Sequence, residues 1–242
     1  MHILVLQHLA VEHPGTLRDF LQEDGVTWET VELDAGETIP ALERFDMMWV
    51  MGGPQDVWQT VEFPWLADEI EAIGTFVTQL RRPYLGLCLG HQLLAAALGG
   101  EVGLAREGEV GLMDVKLSEE GRRDPLLHGM PDPLPVLQWH GAEVKSVPSE
   151  VAVLASSERC AIQAIRYGAC AYGLQFHAEV TATTVADWAA IPTYAQALDR
   201  ALGAGAAARL EADVAAKLSD FNAVARTLYR NLMQQVAAQP AS

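Results

Sequence analysis

The chain has 242 residues, of which 50% are hydrophobic and 20% charged, and its formal net charge at pH 7 is −16. This composition excludes a disordered tail, a collagen and a small disulfide scaffold, and the acidic surplus excludes nucleic acid as a partner, which binds through basic patches. No apolar run has the length of a membrane span, and the N-terminus MHILVLQHL lacks the basic and small-residue features of a signal peptide, so we expect a cytoplasmic protein without a membrane partner.

Strands and helices alternate through the first hundred residues. Short apolar or alternating runs predict strands at residues 3–6, 28–33, 45–51 and 83–87. Apolar residues at helical spacing, or glycines that end a helical pattern, predict helices at residues 16–23, 65–80 and 91–98. Strand-helix alternation of this kind is typical of a parallel sheet that carries helices on both faces.

The middle of the chain, from about residue 101 to 174, has a different pattern. Short apolar alternations at residues 110–117, 151–155 and 161–165 predict additional strands, some of them antiparallel. The whole pattern therefore predicts an α/β fold with a mostly parallel sheet, flanked by helices on both faces.

A helical extension follows this core. From Leu210 to Val236 an apolar residue recurs every three or four positions, which predicts one apolar stripe along a long helix. The stripe suits a helix docked on the body, and a coiled-coil dimer seam is the alternative. Because no linker or internal repeat interrupts the chain, we expect a single domain over residues 1–242, with a core at about 1–187 and the extension at about 188–238.

One of three cysteines stands in a chemically informative position. The pattern Gly86-x-Cys88-x-Gly90 joins a predicted strand to a predicted helix, which is typical of a nucleophile elbow. The tight turn needs glycine on both sides, and the helix N-terminus stabilises a thiolate. The amide of Leu89 is then placed to bind an oxyanion. The alternative is a buried cysteine between two incidental glycines. Since no pair of cysteines has C-x-x-C spacing, we expect neither disulfides nor a metal site.

A cysteine nucleophile needs a base, and the base needs an orienting group. His177 and Glu179 supply both, because residues two apart on a strand face the same way. Four other histidines have no comparable context and are interpreted as surface or packing residues: His2, His8, His13 and His128.

The turn Gly52-Gly53-Pro54 ends the third predicted strand. Glycine lets the backbone approach a substrate closely, so Gly52 is a candidate substrate contact and the amide of Gly53 a candidate second oxyanion donor. The alternative is an ordinary turn at the end of a strand.

These residues match a family pattern. The anchors are GGP at 52–54, PYLGLCLGHQLLAAALGG at 83–100, LQWHG at 137–141 and YGLQFHAE at 172–179. With them the chain resembles the class I (triad) glutamine amidotransferases, in particular stand-alone proteins similar to the amidotransferase domain of GMP synthase. The resemblance covers essentially the whole chain and implies a flavodoxin-like fold, a catalytic triad of Cys88, His177 and Glu179, and no cofactor.

The resemblance also implies a mechanism and a substrate pocket. Cys88 would attack the γ-amide carbon of a glutamine-like substrate to form a γ-glutamyl thioester, with the oxyanion held by Gly53 and Leu89. Gln92 matches a substrate-contacting position, although a polar residue that caps the elbow helix is the alternative. His140 and Gly141 match a loop that borders the pocket.

One departure leaves the substrate open. Ala142 stands where the family often has an aspartate that holds the α-ammonium of glutamine, and the adjacent Glu143 would leave the strand on the other side. The hypotheses are therefore an amidotransferase that acts alone or with an ammonia-accepting synthetase, a γ-glutamyl hydrolase or peptidase, and a non-catalytic regulatory or binding subunit.

Overall fold

A nine-stranded mixed sheet forms the centre of the computed structural model, which describes residues 1–239. Its strands are β1 (His2–Gln7), β2 (Thr27–Glu32), β3 (Met47–Val50), β4 (Tyr84–Leu87), β5 (Glu101–Leu117), β6 (Leu134–Ser146), β7 (Val151–Ser156), β8 (Ala164–Tyr167) and β9 (Ala171–Leu174). They run in the order β2-β1-β3-β4-β9-β8-β7-β5-β6.

The half of the sheet from β2 to β9 is parallel. All residues of β3 and β4 are buried, as expected for strands that are covered on both faces. Because parallel strands end at the same edge, the segments that follow β1, β3, β4 and β9 meet there, which is where ligands bind in open α/β sheets.

Helices cover both faces of this half, which confirms the predicted α/β class. They are α1 (Leu17–Glu23), α2 (Trp65–Gly74) and α3 (Leu89–Ala97), and a fourth short helix, α4 (Glu119–Arg123), follows β5. Phe20 and Leu21 of α1 pack in one apolar cluster, and Leu66 of α2 and Leu93 of α3 pack in a second one on the opposite face. No helix within residues 1–239 is both long and apolar enough to cross a bilayer.

The other half of the sheet is antiparallel, as predicted for part of the middle of the chain. Its largest unit is the long hairpin of β5 and β6. Residues 139–141, which the resemblance placed in a loop, lie within β6 and pair with β5. The predicted strand at 161–165 begins only at Ala164.

The extension consists of four helices rather than the one long helix that the apolar stripe predicts. They are α5 (Thr184–Ala189), α6 (Pro192–Leu202), α7 (Ala206–Ala216) and α8 (Leu218–Ala237). The stripe is broken at Lys217, whose φ of −112° and ψ of 8° end the helical path. Leu210 and Phe221 pack in a third apolar cluster, whereas Leu228 packs against the face that carries α1. A straight helix could not serve both clusters, and the buried stripe supports the docked interpretation over a coiled-coil seam.

Candidate active site

Cys88 lies at the junction between β4 and α3 and is 7% exposed. Its φ of 51° and ψ of −103° are unusual for a residue other than glycine, as in nucleophile elbows. A Cβ atom on Gly90 would lie 2.1 Å from the Val50 carbonyl oxygen, and one on Gly86 would lie 2.4 Å from the Gly90 carbonyl oxygen. Both glycines are therefore required by backbone contacts on either side of the cysteine.

His177 and Glu179 follow β9, the strand next to β4. His177 Nδ1 donates a hydrogen bond of 2.6 Å to Glu179 Oε1, and both side chains are buried. His177 is not part of β9 but pairs as an isolated bridge with Leu137 of β6. Trp188 of α5 packs edge-on against the imidazole at 4.5 Å between ring centroids.

Burial alone would lower the pKa of His177. The Glu179 carboxylate and the neighbouring Cys88 thiol outweigh burial and raise this pKa well above its usual value of 6.5. His177 therefore holds a proton at neutral pH and faces the sulfur as an acid that can protonate a leaving group.

The amides of Gly53 and Leu89 border the same space as the Cys88 sulfur. Among the hydrogen bonds of residues 1–239, none is donated by either amide. Leu89 is the first residue of α3, where backbone N–H groups lack partners within the helix. The two amides are thus available to a negatively charged oxygen.

A cleft of about 220 Å³ opens beside Cys88. Its lining comes from three parts of the chain: the turn after β3, the elbow, and one edge of β6 with α6. The lining residues are Gly53, Pro54, Gln55, Asp56, Cys88, Leu89, Gln92, Leu104, Trp139, His140, Gly141, Ala142, Thr193, Tyr194 and Ala197. Gly52 is not among them, because it is buried behind the turn and a Cβ atom there would lie 2.5 Å from Glu12 Oε2.

Comparisons with known proteins agree with this geometry. The family model for "Glutamine amidotransferase class-I" matches residues 16–187. The glutamine amidotransferase-like protein YfeJ of Salmonella typhimurium is 35% identical over 189 residues, which span 76% of this chain and 78% of the relative. The chain belongs to the class I glutamine amidotransferase family.

Two further relatives agree with this assignment. The matching component of the glutamine-hydrolysing GMP synthase of Sulfolobus acidocaldarius is 35% identical over 159 residues, 64% of this chain and 78% of that one. A crystal structure of a glutamine amidotransferase from Thermotoga maritima superimposes with a TM-score of 0.85 at 27% identity and covers 98% of this chain and 99% of its own. The predicted flavodoxin-like amidotransferase fold, with its helical extension, is confirmed.

In this amidotransferase the polar residues on the β6 side of the cleft are tied to one another. Gln92 Nε2 donates to the Ala142 carbonyl at 3.2 Å and to Gln175 Oε1 at 3.0 Å. His140 Nδ1 donates to the same carbonyl at 2.9 Å, and its Nε2 lies 3.0 Å from Glu109 Oε2. His140 and Gln92 therefore brace the cleft wall, and the amide oxygen of Gln92 remains the atom without a protein partner among residues 1–239.

Several residues of the site carry no sequence signal strong enough to select them. Gln175 Nε2 lies 3.6 Å from the Cys88 sulfur. Tyr194 donates from its hydroxyl to Glu12 Oε1 at 2.6 Å, which ties α6 to the loop after β1. His8, interpreted from sequence as a surface or packing residue, is fully buried beside Gly52. The signal that could have found His8 and Gln175 is their position directly after parallel strands, at the edge where ligands bind.

Proposed function

We propose that this chain hydrolyses the γ-amide of glutamine or of a γ-glutamyl compound through a γ-glutamyl thioester on Cys88. One observation carries the proposal: the cysteine at a strained elbow faces the hydrogen-bonded pair of His177 and Glu179 at the floor of an open cleft. The family assignment supports hydrolysis of a glutamine amide, and the residue roles below are inferred from geometry and chemistry.

Acylation begins with attack of the Cys88 sulfur on the γ-carbonyl carbon. The carbonyl oxygen becomes an oxyanion, which the amides of Gly53 and Leu89 stabilise by two hydrogen bonds. His177 gives its proton to the departing nitrogen, so ammonia or an amine leaves and the thioester remains. His177 is then neutral and can accept a proton.

Deacylation reverses these roles. His177 takes a proton from water as the water oxygen attacks the thioester carbon, and a second oxyanion forms at the same amides. Collapse of this intermediate breaks the carbon–sulfur bond, releases glutamate and restores the Cys88 sulfur beside protonated His177. Glu179 accepts the hydrogen bond from Nδ1 throughout, which keeps Nε2 directed at the reacting atoms.

Substrate recognition has one carboxylate available among the residues that line the cleft, Asp56. Position 142, where the family often has an aspartate, holds a buried alanine whose carbonyl is occupied by Gln92 and His140. We infer that Asp56 faces the α-ammonium group of the substrate. The oxygen of Gln92 and the backbone of Gly141 line the opposite wall, and Gly52 acts from behind the turn.

The extension belongs to this site. We infer a single domain over residues 1–242, with a core at about 1–187 and an extension at about 188–238, because α6 supplies part of the cleft wall through Thr193, Tyr194 and Ala197. Removal of the extension would open the cleft on one side and expose the third apolar cluster.

An ammonia-accepting synthetase is the partner that we infer for the amidotransferase reaction. Support comes from several relatives that are named as one of the subunits of a glutamine-hydrolysing GMP synthase, which implies a second subunit for those proteins. A γ-glutamyl hydrolase that acts on N-substituted amides or peptides is the second candidate, and Ala142 favours it because the usual contact to free glutamine is replaced.

The test is turnover by the purified chain. Glutamine and a panel of N-substituted γ-glutamyl amides are offered separately, and free glutamate is followed by mass spectrometry. Cys88→Ala should abolish release, whereas Cys170→Ala, which alters a buried thiol far along the chain, should retain it. Faster release from N-substituted amides identifies a γ-glutamyl hydrolase, and faster release of ammonia from glutamine identifies an amidotransferase.

Two results would count against the proposal. Equal activity of wild type and Cys88→Ala would remove the thioester mechanism. An inactive wild type whose Cys88 also fails to react with a γ-glutamyl chloromethyl ketone would favour the non-catalytic alternative. If the ketone labels Cys88 but no substrate turns over, an activating partner is required.

A further inference from the structure

A second buried histidine–glutamate pair lies next to the candidate active site and has no part in the steps above. His8 directly follows β1, and Glu69 lies on α2. Both are 0% exposed, and His8 Nε2 lies 2.9 Å from Glu69 Oε1. Trp65 stacks on the imidazole with 5.4 Å between ring centroids and a 12° angle between ring planes. Such a pair is costly to bury, so its other contact is informative.

That other contact is to the candidate oxyanion loop. His8 Nδ1 lies 2.8 Å from the carbonyl oxygen of Gly52, and because a carbonyl only accepts, the ring nitrogen is the donor. The Gly52 carbonyl and the Gly53 N–H belong to the same planar trans peptide and point in opposite directions. A carbonyl held toward His8 therefore directs the Gly53 N–H away from His8, and Gly53 borders the cleft beside Cys88.

The reverse orientation of this peptide is unfavourable. It would turn the Gly53 N–H toward the Nδ1 donor of His8 and leave the ring nitrogen without an acceptor, which costs the desolvation of a buried polar group. Gly53 is also confined, because a Cβ atom there would lie 2.8 Å from His8 Cβ and 2.9 Å from Leu89 Cδ2. The histidine and the elbow thus enclose the peptide from two sides.

The charge of His8 strengthens this arrangement. Burial favours a lower pKa, but the Glu69 carboxylate, the Gly52 carbonyl and the nearby Glu12 carboxyl outweigh it and raise the pKa of His8 above 6.5. Both ring nitrogens then carry protons, one for Gly52 and one for Glu69. A charge-assisted hydrogen bond to the carbonyl polarises the peptide and makes its N–H a better donor to an oxyanion.

We propose that His8, held by Glu69, is a positioning residue that keeps the Gly52–Gly53 peptide turned with its N–H into the cleft, so that the oxyanion donor is in place before substrate binds. This inference rests on the proposed function in that it assumes an oxyanion forms at Cys88. His8 itself touches no reacting atom and acts through the peptide.

The test compares three variants with a matched control. His8→Leu removes the donor, His8→Asn places an amide N–H near the position of Nδ1, and Glu69→Gln removes the ion pair while keeping an acceptor for Nε2. His128→Gln, at an exposed histidine, is the control. We expect His8→Leu to lower kcat by about 10²- to 10³-fold, the usual cost of losing one oxyanion donor. His8→Asn should recover most of this loss, and His128→Gln should match wild type.

Two further measurements separate positioning from general support of the fold. Alkylation of Cys88 by iodoacetamide displaces iodide and forms no oxyanion, so its rate in His8→Leu should stay within about threefold of wild type. Glutamate γ-semialdehyde adds the thiol to its carbonyl and does form an oxyanion, so its binding should weaken by the same factor as kcat/KM. Crystal structures of wild type and His8→Leu would show the orientation of the peptide directly.

Specific results would overturn the inference. Full kcat in folded His8→Leu, or an unchanged peptide orientation in its crystal structure, would show that His8 does not set the donor. Parallel losses of alkylation and turnover in both His8→Leu and Glu69→Gln would reduce the pair to a structural role. If wild type hydrolyses no γ-glutamyl compound, the proposed function fails, and the crystal structures still decide whether His8 positions the peptide.

Discussion

His91 lies in the first turn of the elbow helix and is fully buried against Gly173. Burial lowers its pKa from 6.5 to about 4, because the charged ring loses its hydration. The carbonyls of Ile162 and Gly173 lie near the ring and oppose the shift, but neither is aligned for a hydrogen bond with a ring nitrogen. The folded chain therefore holds a neutral imidazole at neutral pH.

The sign of the resulting pH dependence follows from proton binding in the two states. Between the unfolded pKa of 6.5 and the folded pKa of about 4, the unfolded chain binds more protons at this residue, so the free energy of unfolding falls as pH falls. The loss begins as the pH drops through 6.5 and is complete below about 4. It amounts to about 2 kcal/mol at pH 5 and about 3 kcal/mol in full.

The assay is urea unfolding of wild type and His91→Gln at pH 8 and at pH 5. Glutamine is polar but does not titrate, and all other groups titrate in both proteins and cancel in the comparison. Wild type should lose about 2 kcal/mol more than the variant between the two pH values. Equal losses in the two proteins would refute the reasoning, and His91→Leu provides a second comparison if the glutamine variant is too unstable at pH 8.

Glu179→Gln should lower kcat by about 10³- to 10⁴-fold with little change in KM, because an amide can donate to Nδ1 and favour the wrong tautomer of His177. Steady-state kinetics measures this, and a loss smaller than tenfold would contradict the role of the carboxylate. Asp56→Asn should raise KM for γ-glutamyl amides with a free α-ammonium by about tenfold or more, the value of a hydrogen bond between charged groups. The same substrates acetylated on the α-nitrogen should be unaffected by the change, and an equal effect on both sets would exclude Asp56 as the ammonium contact.

The local chemistry of the candidate site was predictable from the sequence. The glycines on either side of Cys88 and the His-x-Glu spacing are short patterns whose physical requirements lie within a few residues. Both requirements are visible in the fold, as backbone contacts that exclude a Cβ atom and as a 2.6 Å hydrogen bond. Strand-helix alternation likewise predicted the parallel half of the sheet, because each strand and helix is recognised by its own apolar period.

The course of the extension was not predictable in the same way. An apolar stripe shows which face of a helix is buried but not what buries it, so the break at Lys217 between two different clusters left no mark in the periodicity. The assignment of residues 139–141 to a loop was wrong for a related reason, since pairing with β5 depends on a partner strand elsewhere in the chain.

The sequence by itself determined which residues could be nucleophile, base and orienting carboxylate, because those requirements are local. Only the tertiary structure decided what surrounds them. His8 meets Glu69 and Gly52 across 61 and 44 positions of the chain, and Glu12 meets Tyr194 across 182. Such contacts depend on the order of strands in the sheet and on how helices cover it, and a buried polar residue shows its partner only after the chain has folded around it.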